Sequence, residues 1–262
     1  AEEILVELLK HDEHEVDAAE LLITLYQQLR DWERAIEVAQ RCSKKLGERM
    51  LMPLAQFHCE LAEQDLQEAQ PRKAIPRLRK ALQIRPDCVR ASLRLAEIYL
   101  QQGDKHHAIE VLEPIGQHSP DMVSEALPLL RQCFSADDLR YADILNAWRE
   151  SSGAASIALE LADLMSRQQH SSEAESLMLS ELRRHPTMKC FSRLMGYRLA
   201  ELDNPRAAES IGLLKQLVDE QIRAKPRYCC NHCGFASRLI FWQCPSCKHW
   251  ASIKPIRGLD GE

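Results

Sequence analysis

The sequence predicts a mostly α fold: a superhelical solenoid of helical hairpins, ending in a small β-rich knuckle domain stapled by a metal ion. Three observations predict it. Small residues and prolines recur at a spacing of 34 along the body. Two pairs, Cys230-Asn-His-Cys233 and Cys244-Pro-Ser-Cys247, stand ten residues apart near the C-terminal end. Charged residues make up 28% and apolar ones 45%, a soluble balance, and no run of about 18 consecutive apolar residues occurs, so the chain given holds no membrane-spanning helix.

The recurrence sets the helices. Ala74 and Ala108 lie 34 residues apart in similar settings, Lys73-Ala-Ile-Pro-Arg-Leu and His107-Ala-Ile-Glu-Val-Leu. Pro86 and Pro120 repeat the interval, each closing the helix that follows its alanine. Small residues return at Ala142, Ala174 and Ala208, with Pro186 again twelve after Ala174. Upstream, Trp32-Glu-Arg-Ala35 opens a matching helix, offset by a five-residue insertion. Each unit reads as two amphipathic helices and a short turn. In the plainest unit, residues 91–100 form the first helix and Gly103 supplies the left-handed turn. The second helix runs from Lys105 until Pro120 stops it. Leu95, Tyr99, Ile109 and Leu112 fill the seam. One hairpin cannot bury both its faces, so neighbours must stack.

Leu95, Ala96, Tyr99, Gly103, Ala108, Leu112 and Pro120 fall at the signature positions of the tetratricopeptide repeat family, which the pattern resembles. Leu22, Tyr26 and Ala35, and later Leu161, Ala162, Ala174 and Pro186, match less fully. The stretch 121–153 departs most, because Asn146 and Arg149 occupy positions that should be apolar or small. The expected organisation is the last helix of a truncated upstream repeat over 1–14, about six hairpins over 15–222 with 121–153 degenerate, and a metal domain over 223–262. A start at Ala1 inside helical sequence reads as an excised fragment, any anchor or targeting segment being lost upstream. The resemblance implies a groove that binds peptides or proteins. Arg90, Glu97, Arg193 and Tyr197 are first-helix positions that could face it, a solvated helix face being the plainer reading for each.

At the C-terminal end, four thiolates at Cys-x-x-Cys spacing can surround one ion tetrahedrally, and Cys230, Cys233, Cys244 and Cys247 are the expected ligands. Tyr228, Phe235, Phe241, Trp242 and Trp250 crowd the same stretch, which suits a very small core. Iron and zinc both accept this donor set, so one iron or zinc ion is expected. Four ligands close the coordination shell and leave no position for hydrolysis. Cys229 abuts the first pair, but the spacing selects Cys230; His232 and His249 read as exposed polar neighbours. The module resembles rubredoxin. Gly234 follows Cys233, Pro245 follows Cys244 and Tyr228 precedes Cys230 by two, as in that family. Lys248 stands where rubredoxins commonly carry glycine, and ten residues between the pairs is far shorter than in an electron-transfer rubredoxin. Cys42, Cys59, Cys88, Cys133 and Cys190 are scattered through helical sequence and read as buried filler in a reducing compartment.

Charge is uneven. Residues 226–262 carry Arg227, Arg238, Lys248, Lys254 and Arg257 against Asp260 and Glu262, formally +3, which leaves −8 on the remainder of a chain of net charge −5. An acidic body matches nucleic acid poorly, and none is expected as a partner. No glycine-rich phosphate loop, GxSxG elbow or GxGxxG fingerprint occurs. His11-Asp-Glu-His14 reads as a polar helix end. The expectation is a protein that is not an enzyme.

Repeats followed by a short rubredoxin-like module, with the stretches Arg227-Tyr-Cys-Cys-Asn-His-Cys-Gly-Phe-Ala and Trp242-Gln-Cys-Pro-Ser-Cys-Lys-His-Trp, resemble a family of lipopolysaccharide-assembly regulators of enteric bacteria. The resemblance covers essentially the whole chain. It implies an adaptor on the cytoplasmic face of the inner membrane, held there by an N-terminal anchor. Its implied partners are a membrane-bound AAA protease, the lipid A deacetylase that the protease degrades, and a lipopolysaccharide-sensing inner-membrane protein that restrains the adaptor. Two other readings stay open, a rubredoxin-like electron carrier on a repeat scaffold and a nucleic-acid-binding zinc ribbon. So does the oligomeric state, a homo-oligomer included. The module is expected to pack on the last helices near Leu213, Leu214 and Leu217.

Overall fold

Four helix–helix turns share one backbone solution. Arg30, Ala69, Gly103 and Gln169 all take positive φ, between 57° and 76°. The next residue in each case donates its N–H to the carbonyl five positions back: Asp31 to Tyr26, Gln70 to Asp65, Asp104 to Tyr99 and His170 to Met165, at 2.8–2.9 Å. This is the six-to-one bond of a Schellman turn, which satisfies carbonyls that a helix end leaves unpaired. Glycine was expected only at 103; at the other three a side chain is carried into the left-handed region, at roughly 1 kcal/mol each.

The computed structural model describes residues 2–11, 16–135 and 138–262 and divides into two units, Ala1–Asp104 and Lys105–Glu262. Ala1 and residues 12–14 of the segment 1–14, with His14, lie outside the described residues.

The first unit contains α1 (Glu2–His11), α2 (Val16–Leu29), α3 (Trp32–Arg41), a one-turn α4 (Ser43–Leu46), α5 (Leu51–Gln67), α6 (Pro71–Ile84) and α7 (Val89–Gln101). Each helix packs on its neighbours in order, α2 on α3, α3 on α5, α5 on α6 and α6 on α7. Asp31 opens α3 by accepting from the Arg34 N–H at 3.1 Å. Alanines at 35, 62, 74 and 81 are fully buried and let the helices approach, while Leu22, Phe57, Leu78 and Leu95 fill the layers between them. Trp32 stacks on Phe57 with ring centroids 5.7 Å apart.

The second unit contains α8 (Lys105–Leu112), α9 (Ile115–His118), α10 (Val123–Cys133), α11 (Leu139–Ser152), α12 (Ala155–Arg167), α13 (Ser171–Arg184), α14 (Met188–Glu201) and α15 (Pro205–Ala224). Here α10 packs on α8 and α12, α12 on α13, and α14 on α15. The helix expected to run unbroken from Lys105 to Pro120 is interrupted at Pro114, which has no N–H to continue the ladder. Trp148 closes the break: its indole N–H donates to the Glu113 carbonyl at 3.1 Å, and its ring covers Gly116, where an added Cβ would lie 2.1 Å from it. The degenerate stretch has a regular second helix, α11, that buries Tyr141, Ile144, Leu145 and Trp148 on one stripe. Asn146 points to solvent there, and Arg149 reaches the buried Glu181 at 3.5 Å. The five single cysteines are all buried.

First helices of neighbouring hairpins are tied by ion pairs about one repeat apart in sequence. Arg90 meets Glu60 at 2.7 Å and Arg94 meets Glu63 at 2.6 Å in the first unit; Arg131 meets Glu160 and Arg193 meets Asp163 in the second.

Beyond α15, β1 (Tyr228–Cys230), β2 (Ala236–Ser237) and β3 (Ile253–Pro255) form an antiparallel sheet ordered β2-β1-β3. Tyr228 faces Ser237 on one side and Pro255 on the other, and Cys230 faces Ile253.

Candidate metal centre

One turn is used twice. In the first knuckle the Cys230 N–H donates to the Phe235 carbonyl at 2.8 Å and the Gly234 N–H to the Cys230 carbonyl at 2.9 Å. In the second the Cys244 N–H donates to His249 and the Lys248 N–H to Cys244, both at 2.9 Å. The left-handed residue that Gly234 provides (φ 77°) is Lys248 in the second copy (φ 62°). Its Nζ folds back to the Pro245 carbonyl at 2.8 Å. The two turns bring the cysteines of both pairs together.

All four sulfurs lie within 4.8 Å of one another, with Cys230–Cys247 and Cys233–Cys244 at 3.7 Å. A regular tetrahedron with edges of that length has its centre about 2.3 Å from each corner, the zinc–sulfur bond length. The donor set fits one zinc or iron ion. Cys244 and Cys230 are buried with Tyr228 and Ile253 in the small core, while Cys233 is exposed. Cys229, one step along β1, falls outside the cluster, as strand alternation requires. His232 and His249 are exposed and stack with centroids 3.5 Å apart; with Cys247 they make a second donor group.

Backbone N–H groups aim at the sulfurs, as a rubredoxin-type knuckle requires. Against the desolvation that raises it, the hydrogen bond with the Ser252 hydroxyl and those from the Cys233 and His232 amides bring the Cys230 thiol down to about 5. The Phe235 amide lowers Cys233. The His249 amide lowers Cys247, but desolvation and the neighbouring sulfurs outweigh it and push that thiol up to about 12. A bound cation supplies the positive charge that lets four adjacent thiols ionise together.

The ribbon is seated on the starts of three first helices. Lys254 pairs with Asp121 at 3.1 Å, just before α10, and the Tyr228 hydroxyl donates to Glu125 at 2.9 Å within it. Arg257 donates to the Pro120 and Ser152 carbonyls at 3.1 and 3.0 Å. Glu262 accepts from the Ser156 N–H of α12 at 2.9 Å and from Lys189 of α14 at 2.5 Å, and the Met188 N–H donates to the Leu259 carbonyl at 2.8 Å. Burial raises Glu125, while Lys189 and the Ser156 amide overcome the burial of Glu262 and lower it. Packing near Leu213, Leu214 and Leu217 was expected instead. Those side chains stay half exposed or more, because polar and charged groups of the tail find their partners at helix starts.

The first-helix residues singled out from sequence all have partners on their own or the preceding hairpin. Arg90 is buried against Glu60 and Gln56; Glu97 accepts from Arg94 at 2.6 Å; Arg193 pairs with Asp163; the Tyr197 hydroxyl lies 3.3 Å from that of Ser166. Sequence reasoning missed Glu125, Lys189 and Glu262 because nothing near them in the chain marks them.

A stack of two-helix repeats with a four-cysteine ribbon seated on it defines a tetratricopeptide repeat protein with a rubredoxin-type metal domain. The family models agree: the tetratricopeptide repeat model matches residues 61–133, and the rubredoxin metal binding domain model residues 228–255. Lipopolysaccharide assembly protein B of Escherichia coli strain K12 is 34% identical over 100% of this chain and 68% of its own length. The protein of that name from Haemophilus influenzae is 30% identical over 98% of this chain and 65% of its own. The chain belongs to the lipopolysaccharide assembly protein B family. Among solved structures, YrrB, a TPR protein with an unusual peptide-binding site, aligns at a TM-score of 0.39 and 13% identity, over 73% of this chain and 97% of that one. Among the described residues no helix is long and apolar enough to cross a membrane.

Proposed function

We propose that this protein is a non-enzymatic adaptor in lipopolysaccharide assembly, one that presents the lipid A deacetylase to a membrane-bound AAA protease at the cytoplasmic face of the inner membrane. A lipopolysaccharide-sensing membrane protein restrains it. The observation that carries this reading is the seating of a coordinatively closed metal ribbon across α10, α12 and α14. A four-sulfur site has no open position for substrate, so its work is to hold shape. An adaptor accelerates a reaction between others by raising their effective concentration, which needs a stiff, extended surface and no chemistry of its own. Family membership supports the pathway. On the first helices, Glu97, Arg193 and Tyr197 are part-exposed and offer groups to a partner, while Arg90 fixes the helix beside them.

The test is a reconstituted degradation assay with purified deacetylase, the protease in membranes, and this protein carried on a membrane anchor. Degradation that depends on the protein is the expected result; an equal rate without it would sink the adaptor reading. The electron-carrier reading draws on the iron-compatible donor set, and a reversible redox wave from the purified protein is what it needs.

A further inference from the structure

Apart from Lys248, which folds back on its own turn, the basic residues of the ribbon divide into two groups. Lys254 and Arg257 seat it on the helices, as described above. Arg227 and Arg238 stand apart from that seat, Arg238 reaching only the end of α15. They flank the β1–β2 pair, Arg227 just before β1 and Arg238 just after β2, the Arg227 N–H donating to the Ser237 carbonyl at 3.0 Å. With Arg223 from the last turn of α15 they line a cavity of 270 Å³, whose apolar walls are Ile222, Pro226 and Pro255.

The carboxylates of this cavity are engaged: Glu262 by Lys189, Asp260 by Lys225 at 3.3 Å, and Glu125 by the Tyr228 hydroxyl. The three arginines are exposed, and among the described residues none has a carboxylate within ion-pair distance. Arg238 donates to the Ala224 carbonyl at 3.0 Å, Arg223 to the Asp219 carbonyl at 3.2 Å, and Arg227 lies over the Tyr228 ring at 5.6 Å. A guanidinium carries five donors, so each keeps several that no protein group takes.

We propose that this cavity is a docking pocket for an acidic segment of a partner protein, whose carboxylates accept hydrogen bonds from Arg223, Arg227 and Arg238. The proposal rests on the adaptor reading and deepens it. A guanidinium fork matches a carboxylate in two parallel bonds, and the concave wall strengthens them by limiting water. Ile222, Pro226 and Pro255 give aliphatic stems of the segment an apolar surface. Charge favours a narrow ligand over a broad one: outside residues 226–262 the chain carries −8, which repels an extended anionic surface such as a membrane or a duplex.

Fluorescence anisotropy of the metal-loaded protein with a labelled Glu-rich peptide, and with its Gln-substituted counterpart, tests this. The Glu peptide should bind, weaken with added salt, and lose about fivefold in affinity with Arg223→Gln or Arg238→Gln. Arg72→Gln, in the other unit, should change nothing. Arg223 belongs to α15 and donates within it, to the Asp219 carbonyl, so Arg223→Gln keeps the test valid even if Arg238→Gln loosens the module; metal content and circular dichroism report that. Equal binding of both peptides, or of the Arg223 variant and the parent, overturns the proposal. So does co-sedimentation with phosphatidylglycerol vesicles in place of peptide binding, which would make the surface a membrane contact. In the degradation assay, Arg223→Gln variants that work as well as the parent remove the pocket and leave the adaptor standing.

Discussion

Glu262 holds the Lys189 ammonium with one carboxylate oxygen at 2.5 Å and the Ser156 N–H with the other at 2.9 Å. One side chain of the tail thereby closes the starts of two repeat helices. Ala154, the residue before α12, has no side chain to cap that helix, and Glu262 supplies the missing acceptor from 106 positions away.

Removing that carboxylate should therefore loosen both helix and ribbon. Glu262→Gln is expected to lower the stability of the second unit by about 2 kcal/mol at neutral pH. The folded carboxyl titrates below its unfolded value. Its contribution is thus complete above the unfolded value of about 4.3 and fades as pH falls through the folded one. Urea midpoints across acid pH should show a shallower decline for the variant than for the parent. Identical curves would mean that the pair contributes nothing.

Metal removal should undo the ribbon and spare the helices. Cys244 is fully buried and is one of the four sulfur ligands, so Cys244→Ser should abolish stoichiometric zinc or iron. Limited proteolysis should then cut within 223–262, in the variant and in chelated parent alike, with helical circular dichroism largely retained. Unchanged resistance after chelation would refute a structural role for the ion.

The two knuckles invite opposite substitutions. Lys248 holds a left-handed backbone that glycine adopts freely, and its single gain there is an exposed hydrogen bond to Pro245. Lys248→Gly should stabilise the metal-bound ribbon by about 0.5–1 kcal/mol, and Gly234→Ala should destabilise it by a similar amount. Rates of metal loss to a chelator would fall in the first variant and rise in the second.

In the first unit, His58 sits part-buried with its Nε2 unpartnered, and burial, with Lys80 and Arg77 nearby, brings its ring down to about 4. Between the unfolded value of about 6.5 and that point the unfolded chain binds a proton that the folded one refuses, so stability falls as the medium is acidified through this window. About 2 kcal/mol is expected after allowing for partial exposure. His58→Leu should flatten the thermal-melt dependence between these two pH values. A slope unchanged by the substitution would assign the acid sensitivity elsewhere.

Much of the site was legible because its chemistry is local. Cysteines at i and i+3 can only converge through a turn, so Cys230, Cys233, Cys244 and Cys247 carry their geometry in their spacing. Lys248 was legible as a departure from glycine, but only the backbone revealed that the lysine accepts the left-handed conformation. The repeat was legible at Gly103 and opaque at Arg30, Ala69 and Gln169, which make the same turn without the residue that marks it. At Pro114 the break is hidden in the sequence, because the interval to Pro120 reads as whole.

By itself the sequence determined the repeat interval, the helix faces and the four sulfur ligands, since each follows from neighbours within a turn or a hairpin. Only the tertiary structure decided where the ribbon sits and which charges hold it. Tyr228 and Glu125, Glu262 and Ser156, and Arg257 and Pro120 are 103, 106 and 137 positions apart. A single charged residue looks the same in a sequence whether it faces water or a distant partner, and stacking of the hairpins is what brings these together.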